Sequence, residues 1–243
     1  MTIRGVIFDM DGVLTDTIEL HYQSWQCIAD DEGIPFDRQA NEALRGLSRR
    51  DSLIAILGDR ILPEEKIEAL LERKNQLFLD SISTMTPDYL LPGVWDLLTE
   101  LRDRQLKIGI ASASRNVERV IQKLGIRHLI DAVTNVYCVD RPKPAPDVFL
   151  YAASQLHLAP RECVAIEDAA AGVQAALDAG MWTIGLGPVD RVGAAHIVLP
   201  NLDGVRWSDL GDRLSRLKKA EGRGQKAKEE EEGKGIRKLT NNQ

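Results

Sequence analysis

The sequence predicts an α/β fold, an open parallel sheet wound by crossover helices and interrupted early by an all-helical insertion. Three observations carry this reading. Short apolar runs rich in β-branched residues recur along the chain, each closed by polar turn chemistry. Stretches of helical period separate them, as strands that pair in parallel require. Residues 16–88 break the alternation, showing helical periodicity but no strand-like run. Length and composition agree, since 243 residues with 44% hydrophobic and 28% charged side chains can bury a sizeable core in one large or two modest domains.

Taken in order, the first strand is Gly5-Val-Ile-Phe8, ending in Asp9-Met10-Asp11-Gly12. The insertion follows. Its best helix starts at Pro63-Glu64-Glu65 and sets Ile67, Leu70, Leu71, Leu77 and Phe78 on one stripe. Lys74 falls on that same stripe, where a solvated lysine does not belong. Either it snorkels past the apolar face or it is aimed into a cleft between the insertion and the sheet. Beyond the insertion, Pro92-Gly93 opens a helix through Leu97, Leu98 and Leu101, and residues 106–111 form the second strand, ending in Ser112-Ala113-Ser114. Helices then run through Val117, Val120, Ile121 and Leu124 to Gly125, and through Phe149, Ala152, Ala153 and Leu156. The third strand, residues 163–166, ends in Glu167-Asp168. A helix through Val173, Ala176 and Leu177 stops at Gly180, and residues 182–186 and, more weakly, 196–199 complete the sheet. The expected organisation is a core of residues 1–15 and 89–217, a helical cap of 16–88, and a disordered tail of 218–243, which contains Glu229 to Glu232 in a row.

Charge and cysteine usage exclude several function classes. Thirty-one basic against 37 acidic residues give a net charge of −6, which argues against a nucleic-acid partner and suits a cation. Cys27, Cys138 and Cys163 are too few and too scattered for a disulfide framework or a zinc site. No apolar run is long enough to span a membrane, and Asp9 and Asp11 interrupt the N-terminal one, so a soluble cytoplasmic protein is expected, and a monomer is the expected state. Gly185-Leu-Gly187 is followed by Asp190 where a dinucleotide fingerprint needs glycine. His128, His157 and His196 lack metal-ligand spacing and read as structural.

Ligands of open parallel sheets bind beyond the carboxyl ends of the strands, and three predicted strands here end in polar groups. Asp9 and Asp11, two residues apart, repel unless a cation or a proton separates them. Magnesium takes a few carboxylate oxygens and leaves room for phosphate, so Asp9, Asp168 and Glu167 make a plausible shell. An aspartate so placed can attack phosphorus; the alternative is that Asp9-Met-Asp-Gly forms an ordinary turn. Ser112 at a strand end and Lys143 between Pro142 and Pro144 offer a hydroxyl and a compact charge to an anion. Either alone would more commonly be a helix cap or a surface residue.

The run from Asp9 to Thr17, with Ser112, Lys143 and Glu167-Asp168 in order, resembles the haloacid dehalogenase superfamily of phosphotransferases over almost all of the first 217 residues. Within it, His21, Arg45 to Arg49 with Ser52, Arg73-Lys74-Asn75, Ser112 to Ser114 and Asn116 resemble the β-phosphoglucomutase group. The resemblance implies a Rossmann-like doubly wound core with a helical cap, interconverting β-D-glucose 1-phosphate and glucose 6-phosphate through glucose 1,6-bisphosphate. It implies that Asp9 is the nucleophile and Asp11 the general acid and base, with Asp9, the Asp11 carbonyl, Glu167 and Asp168 around Mg2+. Ser112, Ala113 and Lys143 would hold the transferring phosphoryl group, with Asn116 near the distal phosphate. Arg49 would grip the other phosphate, Gly46, Leu47, Ser48 and Ser52 would line the sugar, Thr17 and His21 would steer Asp11, and Lys74 would reach the substrate. Two departures stand out: Arg141-Pro142 precede Lys143 where related mutases commonly carry smaller polar residues, and Met10 replaces the usual leucine. The same core would act as a sugar-phosphate phosphatase if water reached the phosphoaspartate, and a signalling phosphoacceptor domain shares the acidic residues and the lysine but needs no cap.

Overall fold

The computed structural model describes residues 2–219. Six parallel strands form a single sheet: β1 (Gly5–Phe8), β2 (Lys107–Ala111), β3 (Ala132–Thr134), β4 (Cys163–Glu167), β5 (Trp182–Leu186) and β6 (Ile197–Leu199), in the spatial order β3-β2-β1-β4-β5-β6. This is the Rossmann-like, doubly wound arrangement. In β1 all four residues are buried, which is why its sequence shows an unbroken apolar run instead of alternation. Gly5 pairs with Lys107 on one side and Cys163 on the other, so the carboxyl ends of β1, β2 and β4 finish level.

Five of these strands are legible in the sequence; β3 is not. It has three residues on the sheet edge and no periodic signal of its own.

Within the insertion after β1, residues 16–88, the chain forms four α-helices and no strand: α1 (Ile18–Asp31), α2 (Arg38–Glu42), α3 (Arg49–Leu57) and α4 (Glu64–Ile82). Their starts follow from local chemistry. The Asp37 side chain caps α2 by accepting from the Ala40 N–H, and the Ser48 hydroxyl caps α3 by accepting from the Asp51 N–H. Pro63 precedes α4, and Glu64 and Glu65 complement its dipole. The insertion has its own apolar cluster, in which Trp25 and Ile28 of α1 meet Leu53 of α3 and Leu70 and Leu71 of α4. Helices α5 (Val94–Asp103), α6 (Val117–Lys123), α7 (Asp147–Gln155), α8 (Ala170–Asp178) and α9 (Val189–Val192) accompany the sheet.

The described residues up to Gly204 form one compact unit and those from Val205 another. In the second, residues 207–219 are helical, with Trp207, Leu210 and Leu214 recurring on one face. That helix includes Lys218 and Lys219, and the rest of the expected disordered tail lies outside the described residues. Among the described residues, no helix is long and apolar enough to cross a membrane, and the three cysteines are free. His196 accepts from the Thr183 N–H and His128 lies against Trp95, in keeping with a structural reading of both.

Candidate active site

Because β1 lies between β2 and β4, the polar residues after these strands are gathered at one point. The Asp9 N–H donates to Ile166 O at 2.9 Å, extending the ladder one step past β1 and seating Asp9 beside Glu167. Lys143, from the loop before α7, is 2% exposed. Its ammonium donates to Asp9 Oδ1 at 2.6 Å, Glu167 Oε1 at 2.5 Å and the Ala111 carbonyl at 3.0 Å, which accounts for all three protons. Glu167 Oε2 accepts the backbone N–H groups of Asp168 and Ala169. The unusual Arg141 does not disturb this approach. Its guanidinium turns outward onto Asp147, at 2.7 and 3.0 Å.

Close packing around Glu167 needs glycine opposite. A Cβ on Gly172 in α8 would lie 1.8 Å from Glu167 Oε1. We therefore expect Gly172→Ala to push Glu167 aside and cost about 1–3 kcal/mol, measured by thermal unfolding against wild type.

Asp11 takes different partners from Asp9. Past Phe8 the chain leaves the extended conformation, with Leu14 N–H donating to Met10 O and Gly12 at φ 83°. The Thr17 hydroxyl donates to Asp11 Oδ1. His21 Nε2 lies 3.8 Å from the same oxygen, while Nδ1 meets Lys74 Nζ at 2.6 Å. The imidazole stacks on Phe78, ring centroids 4.1 Å apart. Lys74 is 2% exposed and lies 5.0 Å from the Trp25 ring centroid and 4.9 Å from that of Phe78. Of the two sequence readings of Lys74, snorkelling is excluded: the ammonium is buried, facing the cleft.

Burial governs the ionisation of this group. It raises Asp9 well above the usual carboxylate range against the pull of Lys143, and raises Asp11 against the Thr17 hydrogen bond and the Lys74 charge. Asp168 is pushed up to about 7 by burial and by the Glu167 charge, with Arg45 opposing. Lys143 is held above the ordinary lysine range, because the charges of Asp9 and Glu167 outweigh the cost of burial. Burial and the neighbouring Lys74 and Arg49 charges keep His21 neutral. Lys74 is pushed down to about 7 by burial and by Arg49.

The cleft above these residues is walled by both the insertion and the core, and its empty space, counted out to solvent, is about 770 Å3. Asp9, Asp11 and Asp168 line it from below. His21, Gly46, Leu47, Arg49, Ser52 and Lys74 line it from the insertion, and Ala113 and Arg115 from the core. Of the remaining expected residues, Ser48 directs its hydroxyl to the α3 cap. Ser112 accepts from the Ser114 N–H in a tight turn, and Thr17 lies behind Asp11. Asn116 reaches the insertion, donating to Asn75 Oδ1 at 3.0 Å, and Arg49 donates to the same oxygen at 2.8 Å.

Sequence reasoning did not assign roles to Arg45, Asn75 or Arg115. Arg45 Nη1 donates to Asp168 Oδ2 at 2.8 Å across 123 residues of chain, and no local pattern announces such a pairing. Asn75 was visible only as the neighbour of Lys74.

The donor set fits a divalent cation. Asp9, Glu167 and Asp168 each offer an oxygen, these lying within 4.8 Å of one another. All three are buried, and burial with mutual repulsion raises the pKa values of Asp9 and Asp168 against the pull of the neighbouring Lys143 and Arg45. Hard oxygen ligands in this number suit magnesium. The Asp11 side chain lies outside this cluster.

Residues 3–180 match the model of the haloacid dehalogenase-like hydrolases. The chain belongs to this family. Within it, the chain is 41% identical to a β-phosphoglucomutase of Bacillus subtilis over 201 residues, covering 81% of this chain and 89% of the relative. It is 36% identical to the fructose-1-phosphate phosphatase YqaB of Escherichia coli, covering 73% of this chain and 93% of the relative. The crystal structure of a β-phosphoglucomutase from Clostridium difficile superimposes with a TM-score of 0.86 at 33% identity, covering 89% of this chain and 99% of that one. This haloacid dehalogenase-like chain is therefore an enzyme of the superfamily, with both a mutase and a phosphatase among its relatives.

Proposed function

We propose that the enzyme is a β-phosphoglucomutase, interconverting β-D-glucose 1-phosphate and glucose 6-phosphate through an aspartyl phosphate and glucose 1,6-bisphosphate. One observation carries the choice of mutase over phosphatase: Arg49 and Lys74 of the insertion line the cleft together with Asp9 and Asp11, so a second phosphate has its own cationic grip.

Asp9 attacks phosphorus, the bond from phosphorus to the sugar oxygen breaks, and Asp11 gives that oxygen its proton. Burial raises the pKa of Asp11 and so favours its protonated, donating form. In the complementary half-reaction Asp11 takes the proton from the free hydroxyl of the sugar monophosphate as that oxygen attacks the aspartyl phosphate and the bond from phosphorus to Asp9 breaks, giving the bisphosphate, which turns over to offer its other phosphoryl group to Asp9. Lys143 pulls Asp9 toward its anionic, attacking form against the effect of burial, while Ser112 and the Ala113 N–H face the phosphoryl oxygens. Asp9, Glu167, Asp168 and the Asp11 carbonyl are assigned to Mg2+. When bound, that ion neutralises and orients the phosphoryl oxygens. Thr17 and His21 hold the Asp11 carboxylate.

The reading is tested by phosphorus NMR with β-glucose 1-phosphate, magnesium and a trace of the 1,6-bisphosphate. Glucose 6-phosphate is the expected product; dominant inorganic phosphate would instead favour the activity named for the Escherichia coli relative. Arg49→Ala should lower mutase kcat/KM by about 10- to 100-fold, the loss expected of a charge-assisted contact. Unchanged kinetics would remove Arg49 from the phosphate site.

Lys74 adds a pH dependence. Its ammonium is charged below about pH 7 and neutral above it in the free enzyme, so affinity for an anionic sugar phosphate should fall as pH rises from 6 to 8. A Lys74→Arg variant, charged throughout, should show a flatter KM profile.

A further inference from the structure

Beside the cleft, four side chains of alternating charge close a circuit between the insertion and the core. Asp168 Oδ2 accepts from Arg45 at 2.8 Å, and Arg45 is bidentate to Glu42 at 2.6 and 2.9 Å. Glu42 Oε2 lies 3.5 Å from Arg191 Nη1, and Arg191 Nε donates to the Asp168 carbonyl at 2.7 Å. Glu42 and Arg45 come from the insertion at and just beyond α2, whereas Asp168 and Arg191 follow β4 and β5. Gly187 makes room for this arrangement, since a Cβ there would lie 2.4 Å from Arg191 Nη2. A cavity lies against the circuit, walled by Arg45, Arg191 and Asp168 together with Leu91 and Leu202.

We infer that Arg191 and Glu42 latch the helical insertion onto the core, making Arg191 a positioning residue that keeps the cleft closed to water during phosphoryl transfer. Arg191 faces away from the sugar cleft and so acts only through Glu42 and the main chain of Asp168. Weakening the latch lets the insertion open more often, so the phosphorylated enzyme loses its phosphoryl group to water more frequently per transfer to sugar. This consequence rests on the aspartyl-phosphate reading proposed above; the latch itself does not.

Two measurements on Arg191→Gln separate the claims. The ratio of phosphate release to sugar phosphorylation should rise about 2- to 5-fold, the population shift expected from losing one partly exposed ion pair. Amide hydrogen exchange across residues 44–52 of the unliganded enzyme should accelerate by a similar factor. Arg191→Lys keeps a cation facing Glu42 and should recover most of both effects. Wild-type partition and wild-type exchange in Arg191→Gln would overturn the latch, as would a lysine variant that behaves like glutamine. A wild-type enzyme that forms no aspartyl phosphate would sink the functional reading alone, and the exchange comparison would still decide the latch.

Discussion

Asp9→Asn is expected to abolish phosphoryl transfer, lowering kcat by about 10^4- to 10^6-fold, the scale seen when a covalent nucleophile is removed. The substitution is nearly isosteric and keeps an oxygen within reach of Lys143, whose ammonium meets Asp9 Oδ1 at 2.6 Å. What it removes is the second anionic oxygen, the atom that must bond to phosphorus. Incubation with labelled bisphosphate, acid quench and mass analysis should place a phosphoryl group on Asp9 in wild type and none in the variant. Label recovered on another side chain would overturn the assignment. Fold should be retained, so unchanged thermal unfolding in the presence of magnesium is the control.

The largest effect on stability is expected at Lys143. Replacing it with methionine keeps the aliphatic stem but leaves Asp9 and Glu167 buried without their shared cation. Stranding buried carboxylates in this way costs about 3–5 kcal/mol. The loss should depend on conditions. Asp168 titrates near 7 in the folded chain against 3.8 unfolded, so the folded state holds the extra proton between those values. Its contribution is therefore present in acid and lost as pH rises toward 7. With Asp9 likewise raised, the methionine variant should be most compromised near neutrality and recover on acidification. Magnesium should raise its melting temperature more than that of wild type, because a cation bound by the folded form alone supplies the missing charge. A variant as stable as wild type at pH 7 without divalent ions would show that the carboxylates are neutralised by other means.

How much of this was legible in the sequence depended on how local the signal was. The central strands announce themselves because burial on both faces leaves no polar position, as in Gly5 to Phe8. Lys74 was detectable because a charge on an apolar stripe violates helical patterning. The Asp9-x-Asp11 spacing was legible but its geometry was not, since the chain turns immediately after Phe8 and gives each carboxylate its own partners. Ser48, expected to line the sugar, has a second use that the motif did not suggest, its hydroxyl capping α3. Arg45 with Asp168 and Asn75 with Asn116 were beyond reach, because each pairing joins elements that meet only once the chain has folded.

The carboxamide of Asn75 receives Arg49 from its own side of the cleft and Asn116 from the other. A single oxygen thereby registers whether the two walls have come together, and its loss would untie the arginine proposed to grip a phosphate and the start of α6 at one stroke. Selectivity for the outer end of a ligand and readiness of the inner end are thus not independently adjustable in this protein, and variants chosen to widen its diet should pay in turnover when they touch this residue.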